Sequence, residues 1–232
     1  MKNSLTIDQY ISLCDPDGLD YVSKQGQDYI NALSKLFPLN NKNDQPFLIS
    51  DILNQPTLDS FEFSGKNDFA LICKIKANPM IITHNGERIN EKIIPSSFTS
   101  LEAKRIFMTS PGVAYMMTCI IDGKEYIIKF GQTRTPFKAR LGSYNCGVVN
   151  NWRTASTTNI KILQSMVTTR QEFNLYIYDC GEPIRYEWHG AMDEVASPKS
   201  LFVEDVMVKE FMKQYGYKPL ANVQADATGS KK

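Results

Sequence analysis

The chain has little histidine and no cysteine pattern of the metal-binding kind. Its 232 residues include two histidines, His84 and His189, and five scattered cysteines, Cys14, Cys73, Cys119, Cys146 and Cys180. No two cysteines form a CxxC pair, which excludes the common zinc and redox motifs, and an odd, scattered set makes a poor disulfide framework. Buried reduced thiols in a reducing cytoplasm are the expectation. Net charge is scarce as well. The 26 lysines and arginines against 25 acidic residues leave +1, so the molecule as a whole is no polycation, and affinity for nucleic acid must come from a local patch. No apolar run approaches the ~20 residues that span a bilayer. The segment from Met1 to Leu13 lacks the apolar core of a signal peptide, so a cytoplasmic protein without a membrane partner is expected.

What is present is an ordinary globular composition, 42% hydrophobic, in a length that suits one large domain or two small ones. Residues 6–36 show helical spacing, broken at Asp15-Pro16-Asp17-Gly18. A polar, Asn-rich stretch from Pro38 to Pro46 reads as a loop, and a short helix is expected at Leu48–Leu53. The period then changes to two. Strands are expected at Phe61–Phe63, Ala70–Ala77 and Met80–Thr83, and His84-Asn85-Gly86-Glu87 is a hairpin signal before a returning strand near Arg88–Ile94. A helix is expected over Thr99–Phe107, with Thr99 as N-cap and Glu102 three residues on.

A second unit starts near residue 111. Val113–Ile121 and Tyr126–Phe130 read as strands around Asp122-Gly123-Lys124. Thr135 and Pro136 suit the start of a helix over Phe137–Tyr144. Asn145–Asn159 reads as a long loop, Ile160–Val167 fits either helix or strand, and Phe173–Asp179 alternates as a strand. Ser197-Pro198 opens a helix to about Tyr215, stopped by Gly216, and residues 225–232 read as a frayed tail. The division expected is an N-terminal region, 1–108, of helix and β-hairpin, then a second domain, 109–224.

Several residues carry chemistry. On the last helix, at about 100° per residue, Leu201, Val208, Phe211 and Tyr215 share one sector with Glu204, while Asp205, Lys209, Glu210 and Lys213 lie outside it. A carboxylate on a buried face needs a compensating cation. A divalent metal fits, because Mg²⁺ is held by one or two carboxylates plus water and phosphate. A salt bridge, or a place at the edge of the stripe, fits equally. Arg140 offers a permanently charged fork that matches phosphate oxygens. Tyr115 lies in an apolar strand, either as a core phenol or as a group that orients water. Lys129 lies inside the strand Tyr126–Phe130, as an edge residue or a phosphate partner. Between Asp122 and Arg170 eight basic residues face two acidic ones. That suits a basic face towards nucleic acid, with Thr133, Arg134, Lys138, Tyr144, Arg153 and Lys161 as its candidate contacts. His189 is a lone loop histidine and is set aside.

Taken together, Gly112-Val113-Ala114-Tyr115, Lys129-Phe130-Gly131-Gln132-Thr133, Arg140, Glu204 and Pro219-Leu220-Ala221-Asn222 resemble the core of the GIY-YIG nuclease superfamily over residues 111–223. Arg140 stands nine residues beyond Gly131, as the pattern requires. Lys129 replaces the second tyrosine, and Asn145–Asn159 resembles an insertion. The resemblance implies an α+β fold with a small three-stranded antiparallel sheet flanked by helices. It implies a metal-dependent endonuclease that hydrolyses DNA phosphodiester bonds, of restriction, homing or phage type. Tyr115, Lys129, Arg140, Glu204 and Asn222 would be catalytic, Glu204 would hold Mg²⁺ or Mn²⁺, and a homodimer would cut two strands. The alternative is a related module that binds nucleic acid or protein without cutting. One register condition follows: Tyr115 and Lys129 share a face only if the hairpin between them carries a bulge, expected here as a three-residue loop, Asp122 to Lys124.

Overall fold

The structure is a computed structural model that describes residues 47–82, 89–144, 161–162, 165–166, 169–181, 184–195 and 199–222. The helices expected within 6–36, the turn at His84–Glu87, the loop Asn145–Asn159 with Arg153, and the tail lie outside the described residues. In chain order the elements are α1 (Ile49–Leu53), β1 (Ala70–Ile82), β2 (Ile89–Phe98), α2 (Leu101–Thr109), β3 (Val113–Ile121), β4 (Lys124–Thr133), α3 (Phe137–Tyr144), β5 (Phe173–Asp179), β6 (Ile184–Trp188), β7 (Ala191–Val195) and α4 (Lys199–Tyr215). Of the segment that fitted either helix or strand, the described residues 161, 162, 165 and 166 are helical, as is residue 169 beyond it.

The class is α+β, but the sheet is larger than expected. Five strands run in the order β2-β1-β5-β3-β4, all antiparallel. The expected trio β5-β3-β4 forms one side of it. The β1–β2 hairpin adds the other two strands because β1 pairs with β5 through Ala70–Ile75. The expected boundary at 108/109 thus falls within a single sheet. Phe47, Ile52, Ile75 and Phe107 share one core with Tyr115, Phe137 and Phe173.

Other elements shift for local reasons. Phe61–Phe63 is irregular and leads into a 3-10 turn, Ser64–Asp68, where the Lys66 ammonium donates to the carbonyls of Leu58 and Phe61 at 2.6 Å each. Ser100, not Thr99, caps α2, accepting from the Ala103 N–H, while the Thr99 hydroxyl donates to the Leu71 carbonyl. The hairpin β6–β7 is an element the sequence reading missed; His189 and Gly190 form its turn, with φ of 48° and 79°.

The sheet buries both faces. Helices α2 and α3 cover one, joined by Phe107 against Phe137, and α4 covers the other through Met207 and Phe211 against Ala114, Met116, Ile127 and Phe130. The buried stripe of α4 is rotated from expectation: Ser200, Met207 and Phe211 point inward while Leu201 is exposed. Glu204 is half-buried, at the margin of that stripe. Asp205–Lys209 and Glu210–Lys213 pair on the outer side of the helix. Cys73, Cys119 and Cys180 are buried free thiols, and burial pushes the first two up to about 12.

Candidate active site

The site is organised by the β3–β4 hairpin. Its turn is a two-residue one, Asp122-Gly123, with φ of 50° and 76°, and Ile121 pairs directly with Lys124. The expected three-residue loop is therefore absent. The bulge lies further up the ladder, where the register shifts between Met117 and Thr118 because Lys129 pairs with Met117 and Ile127 with Thr118. Ile128 is the extra residue. The bulge restores what the tight turn would have undone. Tyr115 pairs with Gly131, Lys129 with Met117, and Tyr115 and Lys129 face the same side.

Gly131 has a steric reason to be glycine. The Tyr115 ring crosses the outer strand directly over it, and a Cβ there would stand 2.2 Å from Cζ of Tyr115 and 2.3 Å from its hydroxyl oxygen. The crossing carries the phenol oxygen towards α3. There it meets the Tyr144 hydroxyl at 2.7 Å and accepts from Nε of Arg140 at 3.3 Å. The guanidinium also lies over the Tyr144 ring, 4.8 Å from its centroid. Arg140 and Tyr144 stand four apart on one helix, so both reach the same phenol. Tyr144, expected on the nucleic-acid face, is fully buried, with its hydroxyl on that of Tyr115. The helical spacing from Arg140 was the available signal.

Lys129 is buried in the outer strand, and its ammonium donates to the Ala221 carbonyl at 3.4 Å. Burial pulls its pKa down to about 8; the charge of Glu204 raises it and that of Arg140 lowers it. On Glu204, burial raises the carboxyl pKa, and Lys129 and Arg140 pull it back down. Tyr115 is held above the usual phenol range, by burial first, with Arg140 and Tyr144 opposing and Glu204 adding a small rise. These shifts tie the four groups together: Glu204, from α4 on one face, and Tyr115, Lys129 and Arg140, from the other, share one electrostatic field across β4.

Asn222 ties the turn after α4 to the outer strand. Its amide pairs with the backbone of Phe130, accepting from the N–H at 2.9 Å and donating to the carbonyl at 2.8 Å. The Ala221 N–H donates to the Ile128 carbonyl at 3.0 Å. The Pro219–Asn222 turn thus closes the outer edge of β4 beside Lys129. Further down the same edge, Pro56, Thr57 and Leu58 pair with Glu125, Tyr126 and Ile127.

Of the remaining expected contacts, Thr133 is buried, its hydroxyl at 3.0 Å from that of Thr135. Arg134 and Lys138 are exposed near the start of α3, and Lys161 is half-exposed on a helical residue.

No protein-family model and no curated protein matches the chain. Solved structures similar to it include two nucleases. One is the restriction endonuclease HPY188I in complex with product DNA, 27% identical, with a TM-score of 0.47, covering 80% of this chain and 97% of that one. The other is a mutant of bacteriophage T4 EndoII, 15% identical, with a TM-score of 0.36, covering 68% and 94%.

The donor set fits a divalent ion of one kind. Among the described residues no group of three His, Cys, Asp or Glu converges. Glu204 is a half-buried carboxylate flanked by cations, which suits Mg²⁺ or Mn²⁺ held by one carboxylate together with phosphate oxygens and water. Among the described residues no helix is long and apolar enough to cross a membrane.

Proposed function

We propose that this protein is a metal-dependent endonuclease of the GIY-YIG type that hydrolyses phosphodiester bonds in DNA. The observation that carries the reading is the Tyr115 hydroxyl, laid over Gly131 and bonded by Arg140, in the field of Lys129 and Glu204. A phenol, a permanent cation, an amine with a lowered pKa and one carboxylate can together orient water, accept a proton, neutralise phosphate charge and hold a divalent ion, a set that serves in-line hydrolysis of a phosphodiester.

Each residue has a task in this reading. Glu204 holds the divalent ion, which supplies Lewis-acid polarisation of the scissile phosphate when bound. Arg140 neutralises charge that develops on the phosphate. Tyr115 stays protonated at neutral pH, because burial raises its pKa, so it orients the attacking water through its hydroxyl. Lys129, brought to about 8, is the group able to accept a proton near neutrality in place of a second phenol. Arg134, in the turn before α3, and Lys138, in its first turn, line the backbone of the bound strand, and Lys161 adds charge to the same basic stretch.

The test is plasmid incubation with Mg²⁺, Mn²⁺ or EDTA, beside Glu204→Ala and Arg140→Ala. Metal-dependent nicking, abolished by the first change and reduced about 10²–10³-fold by the second, supports the reading. Gel-shift binding of DNA without nicking in either metal would replace it with the binding-module alternative.

A further inference from the structure

Among the described residues no hydrogen bond or ion pair grips the Glu204 carboxylate itself; Lys129 and Arg140 act on it through their charge. Its place is therefore set by the backbone of α4. The C-terminal end of that helix is held by packing: the rings of Phe211 and Tyr215 lie 5.8 Å and 6.5 Å from that of Phe61. The first turn packs poorly by comparison, with Leu201 40% and Phe202 67% exposed. Its fully buried residue is Ser200, whose hydroxyl donates to the side-chain oxygen of Gln132 at 3.3 Å. The stripe that continues as Met207 and Phe211 thus opens with a hydroxyl instead of an apolar group.

Gln132 belongs to β4, the strand of Lys129 and Gly131, and it pairs with Ala114 on the face that α4 covers. Ser200 and Glu204 stand four apart, on one flank of the helix and about 6 Å apart along its axis. The bond from Ser200 to Gln132 therefore fixes where the carboxylate lies along the strand whose opposite face carries the amine and the phenol. Apolar contact is non-directional and tolerates sliding. A hydrogen bond weakens steeply once its distance or angle is lost.

We infer that Gln132 and Ser200 are positioning residues for the metal-dependent reaction, a polar latch between β4 and α4 that sets the reach of Glu204 to its divalent ion. The inference rests on the proposed nuclease reading and adds two residues to it. Neither side chain touches ion or substrate; both act through the carboxylate. An ion held by a single carboxylate depends on that ligand's place, because Mg²⁺ demands near-ideal geometry at about 2.0–2.1 Å. Removing groups that orient a metal ligand costs about 10–100-fold in metal affinity or activity.

The test compares the full-length protein with Gln132→Ala, Ser200→Ala, the double variant, Glu204→Gln and Phe211→Leu. Four quantities are read: the Mg²⁺ concentration for half-maximal plasmid nicking, Mn²⁺ binding from the electron paramagnetic resonance of the free ion, gel-shift affinity in EDTA, and Tm. Gln132→Ala and Ser200→Ala should each raise the Mg²⁺ requirement about tenfold and weaken Mn²⁺ binding by the same factor. Nicking at saturating metal and DNA affinity in EDTA should stay near wild type. The double variant should be no worse than either single one, since both remove one bond. Phe211→Leu should lower Tm and leave the metal requirement alone. Wild-type metal requirement and Mn²⁺ binding in both single variants, beside their loss in Glu204→Gln, overturns the latch and leaves the nuclease reading intact. Multiplying losses in the double variant, or an equal rise in metal requirement in Phe211→Leu, also overturns it. A wild-type protein that neither nicks DNA nor binds Mn²⁺ through Glu204 overturns both.

Discussion

The ring of Tyr115 rests on the bare backbone of Gly131, closer than any β-carbon would permit. This contact lets a residue of an inner strand present its hydroxyl beyond the outer strand, where Arg140 and Tyr144 meet it. Gly131→Ala should therefore displace the phenol. We expect nicking to fall at least about a hundredfold and stability to drop by about 1–3 kcal/mol from overpacking. Rates on plasmid and a urea melt measure the two; an alanine variant with normal activity would show that the position of the phenol is irrelevant.

Tyr144 and Tyr115 should separate by magnitude. Tyr115→Phe removes the proposed water-orienting hydroxyl and should lower the rate about 10²–10⁴-fold. Tyr144→Phe removes only its buried partner, and should lower the rate about tenfold, with roughly 1 kcal/mol of stability lost. Gel-shift affinity should change in neither. Equal loss in both variants would give Tyr144 a direct part in the chemistry.

Lys129 gives stability a pH dependence of known sign. Its folded pKa of about 8 lies below the unfolded value of 10.5. Between those two pH values the unfolded chain binds more protons, so unfolding becomes harder as pH rises, and below pH 8 the contribution is flat. In urea melts with EDTA, the stability of wild type minus that of Lys129→Met should climb by roughly 3 kcal/mol across this window. A constant difference would mean that the amine is solvated.

Asn222→Ala should act on stability before chemistry. It strips both amide bonds from Phe130, a buried strand residue. A loss of about 2 kcal/mol is expected, with faster hydrogen exchange at the Phe130 amide. Asn222→Asp keeps the acceptor and loses the donor, and should fall between.

Arg134→Ala and Lys138→Ala should weaken binding to all sequences alike. Each should reduce the slope of log affinity against log salt by about one unit. A sequence-dependent effect would instead make one of them a reader of bases.

The parts of the fold legible from sequence were those set by local rules. Strands β3 and β5 announce themselves by apolar content and alternation, α3 by Thr135-Pro136, and the end of α4 by Gly216, whose φ is 78°. The bulge was expected in the wrong place. Tyr126-Ile127-Ile128 is an unbroken apolar run, so a skipped beat in the alternation leaves no mark, whereas Asp122-Gly123 has the residues of a tight two-residue turn. The β6–β7 hairpin was invisible because His189-Gly190 is a weak turn signal between strands rich in charge. That β1 joins β5 is a pairing across about a hundred residues, and nothing local encodes it. At the site, Tyr115, Lys129, Arg140 and Glu204 could be named from spacing. Tyr144 was named for the nucleic-acid face, and its bond to Tyr115 was not legible, because that partner is set by where the α3 helix lands on the sheet.

The stitching of β4 by residues 56–58 at one end and 221–222 at the other has a consequence for biosynthesis. The strand that carries Lys129 and Gly131 gains its outer partners from segments made long before and long after it. Until Asn222 leaves the ribosome, that border stays open and the amine beside it lacks the Ala221 carbonyl. On the proposed nuclease reading, a chain cut short before residue 221 lacks the partner of the Lys129 ammonium and the closed border of β4, and its nicking should fall accordingly.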